Sequence, residues 1–89
     1  MIVRKHIQFY GRVQGVGFRY HATYKAQSLG LTGWVRNCSD GSVEMEVQGD
    51  PNWINDLLLY LHRQRYIQIE RMDEEKIALK EESSFRERW

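Results

Sequence analysis

Polar and apolar residues alternate through the first ten positions. Val3, Ile7 and Phe9 fall on one face and Arg4, His6, Gln8 and Tyr10 on the other, with Lys5 a lapse on the apolar side. A period of two predicts a half-buried strand. Beyond the glycine-rich stretch the period changes. Phe18, Ala22, Ala26 and Leu29 recur at steps of three and four, which predicts a helix with one apolar stripe, stopped by Gly30. A second strand fits Leu31 to Asn37, and Cys38-Ser39-Asp40-Gly41 forms a turn, with Asp-Gly its strongest part. Ser42 to Gln48 then alternates cleanly, Val43, Met45 and Val47 against Glu44, Glu46 and Gln48.

Gly49 ends this third strand. Asp50 offers an N-cap and Pro51 a favourable first helical residue, and Ile54, Leu57, Leu58 and Leu61 form the stripe of a second helix. Ile67 and Ile69 suggest a fourth strand, interrupted by the charged run Asp73-Glu74-Glu75-Lys76, a solvated loop. Ile77 with Leu79, and then Phe85 to Trp89, supply short edge pairings. The order β-α-β-β-α-β predicts an α+β, ferredoxin-like sandwich: an antiparallel four-stranded sheet with both helices on one face.

Length makes this a single domain, residues 1–89, since the chain is too short for two cores. The formal net charge of +1 gives no global attraction to nucleic acid or membrane, so any preference for anions must be local. The lone cysteine, Cys38, excludes an internal disulfide and cannot build a zinc site by itself. Paired cysteines are usual in small secreted domains, and the first residues lack an apolar signal core. No apolar run approaches the roughly 20 residues that cross a bilayer. These features place the domain in the cytoplasm, soluble and monomeric.

The most informative stretch is Gly11-Arg12-Val13-Gln14-Gly15-Val16-Gly17-Phe18-Arg19. Its glycines let the backbone bend and approach a ligand without Cβ clashes. Backbone N–H groups at a helix start, joined by a guanidinium fork, suit a phosphate group. It is not a Walker loop, for no Gly-Lys-Ser/Thr follows. Tyr20 stands where the third glycine of a dinucleotide fingerprint would fall. On spacing alone, a glycine-rich turn with a surface arginine fits equally well.

The same run resembles the first signature of the acylphosphatase family. Gly33-Trp34-Val35-Arg36-Asn37, followed by Gly41-Ser42-Val43 and Gly49, resembles the second, with matching internal spacing. The resemblance implies hydrolysis of acyl phosphates to a carboxylate and inorganic phosphate, without metal or cofactor. By it, Arg19 is the catalytic arginine and Asn37 the catalytic asparagine. The backbone amides of Gln14, Gly15, Val16, Gly17 and Phe18 would wrap the phosphoryl oxygens beside Arg19. The expected ligands are a small acyl phosphate and, as a bound anion, inorganic phosphate or sulfate. Cys38 replaces the family's frequent threonine, and Glu87 stands where an apolar residue is usual near the C-terminus, which suggests a loose or edge strand with Glu87 solvated.

Phosphoryl transfer asks mainly for positioning and for charge stabilisation on the equatorial oxygens. Arg19 with a ring of N–H donors answers both, and the Asn37 amide can fix a water in line. His21 has no task in such a scheme and reads as a helix-surface residue. His6 and His62 lack ligand partners, and Trp34 reads as packing. Arg12 and Arg36 suit either added positive potential or plain solvation.

Two other functions compete. Many β-α-β-β-α-β domains bind RNA on the open sheet face, but Glu44, Glu46 and Gln48 would repel a phosphate backbone there. A noncatalytic anion sensor, or the acylphosphatase-like module of a hydrogenase maturation factor, would share the fold and differ only in turnover.

Overall fold

A computed structural model describes residues 1–89, and the alternating N-terminal stretch forms β1 (Val3–Arg12). It is followed by α1 (Phe18–Ser28), β2 (Thr32–Asn37), β3 (Val43–Gly49), α2 (Pro51–His62), β4 (Gln68–Ile77) and β5 (Phe85–Arg88). The α2 start follows its sequence signals: the Asp50 side chain accepts from the Asn52 N–H at 2.8 Å, and Pro51 opens the helix. No helix is long and apolar enough to cross a membrane.

The sheet runs β4-β1-β3-β2-β5. The expected four-stranded antiparallel sheet is therefore corrected on two counts. A fifth strand is present, and it pairs parallel to β2, with Phe85 beside Gly33 and Glu87 beside Val35. Topology explains both. β4 ends beside Arg4, at the end of the sheet where β2 begins, but on the opposite edge. Residues 78–84 cross the sheet to that edge and deliver β5 in the direction of β2.

The charged run at Asp73 to Lys76 is the second correction. It does not interrupt β4 but forms part of it, Asp73 opposite Gln8 and Lys76 opposite Lys5. An edge strand satisfies its backbone on one side while its side chains reach water, so charge there is tolerated and discourages edge-to-edge association.

One face of the sheet carries Ile7, Phe9, Val35, Val43, Met45, Val47 and Phe85, which join Phe18, Ala22 and Ala26 of α1 and Ile54, Leu57, Leu58 and Leu61 of α2 in a single core. Both helices thus cover one face. Gly33 is required at its place in β2: its φ is +138°, and a Cβ there would lie 1.9 Å from the Glu46 carbonyl oxygen.

The other face is polar, and the crossing segment covers part of it. Lys80 N–H donates to Gln48 Oε1 at 2.9 Å, and Arg4 Nη1 donates to Glu82 Oε1 at 2.6 Å. Arg4 is fully buried as a result. A buried cation is tolerated only when paired. Arg4 Nε donates to Glu46 Oε1 at 2.9 Å, completing a clasp between β1, β3 and the crossing segment. Burial pushes the Glu46 carboxyl up, but hydrogen bonds and positive charge from Arg4 and Lys80 outweigh it and hold the group below its ordinary value. This face carries the Glu44 and Glu46 carboxylates, paired with Arg4, Arg36 and Lys80.

Candidate active site

Gly15 and Gly17 take φ values of +72° and +80°, in the left-handed region where a side chain is strained. Gly17 is the N-cap of α1, and no side chain caps the helix. The first-turn N–H groups have no intrahelical partner by construction. The positive end of the helix dipole and these donors therefore meet at the glycine loop. Phe18 anchors the first turn: it is buried and packs on Phe9, with ring centroids 4.8 Å apart. That contact fixes where the next residue, Arg19, emerges.

A cavity of about 170 Å³ lies at this point, lined by Val13, Gly15, Gly17, Phe18, Arg19, Tyr20, Asn37 and Glu87. The structure thus brings Arg19 from the start of α1 together with Asn37 from the end of β2. Of the loop positions singled out by sequence, Gly15, Gly17 and Phe18 line the cavity. Gln14 and Val16 do not. Val16 packs against the core, and Gln14 turns its side chain toward the β2–β3 turn. Its Nε2 donates to the Cys38 carbonyl at 2.7 Å and to the Ser42 carbonyl at 2.8 Å. The glycine loop is thereby tied to the residue that follows Asn37, a role for Gln14 that spacing could not reveal.

The cavity also holds a group that pattern reading placed in solvent. β5 is indeed an edge strand and Glu87 is exposed, yet its Oε1 lies 3.9 Å from Arg19 Nε. The Arg19 guanidinium carbon lies over the ring of Trp89, 4.0 Å from its centroid. Phe85 and Glu87 share one face of β5, and Phe85 is buried in the core.

Neighbouring residues do other work. His21 is not part of the cavity lining; its ring lies edge-on between Tyr20 and Tyr60. Arg36 donates to Glu44 Oε1 at 2.7 Å, and His6 approaches the other Glu44 oxygen at 2.6 Å. Burial pushes the Glu44 carboxyl up, but these partners outweigh it and lower it overall. Cys38 is half-buried, with Gln8 Nε2 3.4 Å from its Sγ. Trp34 lies under Arg88, 4.5 Å from its guanidinium carbon. No group of three or more His, Cys, Asp or Glu side chains converges to ligate a metal ion. A larger hollow along Glu81, Glu82, Ser83, Ser84 and Arg86 contains no group from the glycine loop.

A cradle lined by one arginine and one amide side chain, with Glu87 its one carboxylate, can bind a phosphoryl group and orient a water. The sequence profile of the acylphosphatase family matches residues 5–87. An acylphosphatase of Thermococcus kodakarensis is 49% identical over 61 residues, covering 68% of this chain and 67% of the relative. One of Bifidobacterium longum is 56% identical over 57 residues, 64% of this chain and 59% of the relative. The structure of an acylphosphatase from Coxiella burnetii superposes with a TM-score of 0.89 at 35% identity, covering 98% of this chain and 93% of that one.

Proposed function

This chain belongs to the acylphosphatase family, and we propose that it hydrolyses acyl phosphates by holding the phosphoryl group and positioning one water. The products are a carboxylate and inorganic phosphate. The observation that best supports the reading is the single cavity shared by Gly15, Gly17, Phe18, Arg19 and Asn37.

The chemistry follows from the groups at hand. The loop amides that face the cavity, at Gly15, Gly17 and Phe18, and the Arg19 guanidinium receive the equatorial phosphoryl oxygens, where charge resides in the transition state. Asn37 cannot take up a proton, but its amide holds a water in line with the scissile P–O bond. The leaving carboxylate has a pKa of about 4, judged from carboxyl side chains, so it departs unprotonated and needs no general acid. An alkoxide leaving group would need one. The site is therefore suited to acyl phosphates and poor for phosphate monoesters, with inorganic phosphate or sulfate its simple anion ligands. On this reading the domain acts as a monomer in the cytoplasm.

Release of phosphate from benzoyl phosphate and from glycerol phosphate, each with a chelator present, tests this. Turnover of the first alone is expected. Absence of turnover with benzoyl phosphate would refute the reading.

A further inference from the structure

Glu87 is the only carboxylate among the residues lining the cavity. Its place is set by β5. Phe85 is fully buried beneath the helices, and two residues later the alternation returns Glu87 to the same face. There the core ends and the first turn of α1 begins, so the side chain emerges beside Arg19, 3.9 Å from Nε.

A volume near 170 Å³ corresponds to about five or six waters at roughly 30 Å³ each. That is room for a phosphoryl group and the first atoms of whatever it is attached to. Any substrate seated on the glycine loop therefore brings its acyl part close to Glu87.

We propose that Glu87 is a specificity-determining residue, a charge filter that disfavours acyl phosphates whose acyl group carries its own negative charge. This rests on the hydrolase reading above. The phosphoryl charge is common to all substrates, and Glu87 weakens the hold of Arg19 on each of them alike. A second anionic charge on the acyl group is different, because it meets Glu87 where the cavity lining holds no cation besides Arg19. Arg19 is committed to the phosphoryl group on this reading, and its guanidinium carbon lies over the Trp89 ring. Arg36 is paired with Glu44 at 2.7 Å, and Arg88 lies against Trp34. Like charges a few ångströms apart in a half-open cleft cost on the order of tenfold in kcat/KM.

The test compares acetyl phosphate, with a neutral acyl group, and succinyl phosphate, with a second carboxylate, in wild type, Glu87→Gln and Glu87→Asp. Glu87 is exposed on a terminal edge strand, so neither variant disturbs the core. Wild type is expected to prefer acetyl phosphate, and Glu87→Gln to shrink that preference about tenfold at low salt. Glu87→Asp should keep most of it. Binding of methylphosphonate against phosphonoacetate, followed by calorimetry, should give the same shift in ratio without turnover. An unchanged ratio in Glu87→Gln by both measurements would overturn the filter, as would an equal fall in kcat on both substrates. Lack of turnover in wild type with a charge-sensitive binding ratio would overturn the hydrolase reading and leave the filter standing.

Discussion

Gln14 donates its side-chain amide to the carbonyl oxygen of Cys38 at 2.7 Å, and so joins the glycine loop to the residue after Asn37. With the second bond to the Ser42 carbonyl, it couples the two halves of the site. Gln14→Ala removes both. Each such bond contributes about 1 kcal/mol, so a loss of roughly 2 kcal/mol in stability is expected. Turnover should also fall about tenfold, through kcat more than KM, as the water and phosphoryl subsites lose register. Denaturant titration and steady-state kinetics check both. Full kcat in a destabilised variant would make the tie purely structural.

Asn37→Ala should lower the rate of acyl phosphate hydrolysis while leaving inorganic phosphate affinity nearly intact, because the loop and Arg19 remain. Phosphate inhibition constants measured beside kcat separate the two effects. Loss of phosphate binding instead would mark Asn37 as a strut of the β2 end.

Gly33→Ala probes the sheet beneath the site. The added methyl would meet the Glu46 carbonyl oxygen at 1.9 Å, at a φ of +138°. Backbone must move to accept it, so a loss above about 3 kcal/mol is expected. A melting temperature close to wild type would contradict the observed approach of β2 to β3.

Much of this was legible in the sequence, and the failures share a cause. Alternation at Val3 to Phe9, the helical stripe from Phe18, and the Asp50-Pro51 helix start each depend on local periodicity or capping, and each survives in the fold. The charges of Asp73 to Lys76 break the alternation and so predict a loop, yet on an edge strand the pattern is not needed. The position of Glu87 depended on which edge received β5, a choice made by the crossing of residues 78–84 and not by any local signal. The same crossing buries Arg4, which alternation assigns to a polar face without telling how deeply that face is covered.

Acid should unfasten that face. Glu44 and Glu46 have an ordinary value of 4.5 and are held below it when folded. As pH falls the unfolded chain binds their protons first. The stability they contribute is therefore present above about pH 4.5 and lost as pH drops through the lower folded values. Melting curves from pH 6 to pH 3 should show this loss, and Glu46→Gln should flatten it. An identical acid slope in that variant would place the acid sensitivity elsewhere.

The most direct test of the site is hydrolysis of benzoyl phosphate by Arg19→Ala beside wild type, with folding verified by circular dichroism. Arg19 carries the only positive side chain lining the cavity, so its removal should cost roughly 10³-fold or more in kcat/KM. It should also weaken competition by inorganic phosphate. Near-wild-type turnover in the folded variant would contradict the role assigned to Arg19 and to the glycine loop that presents it.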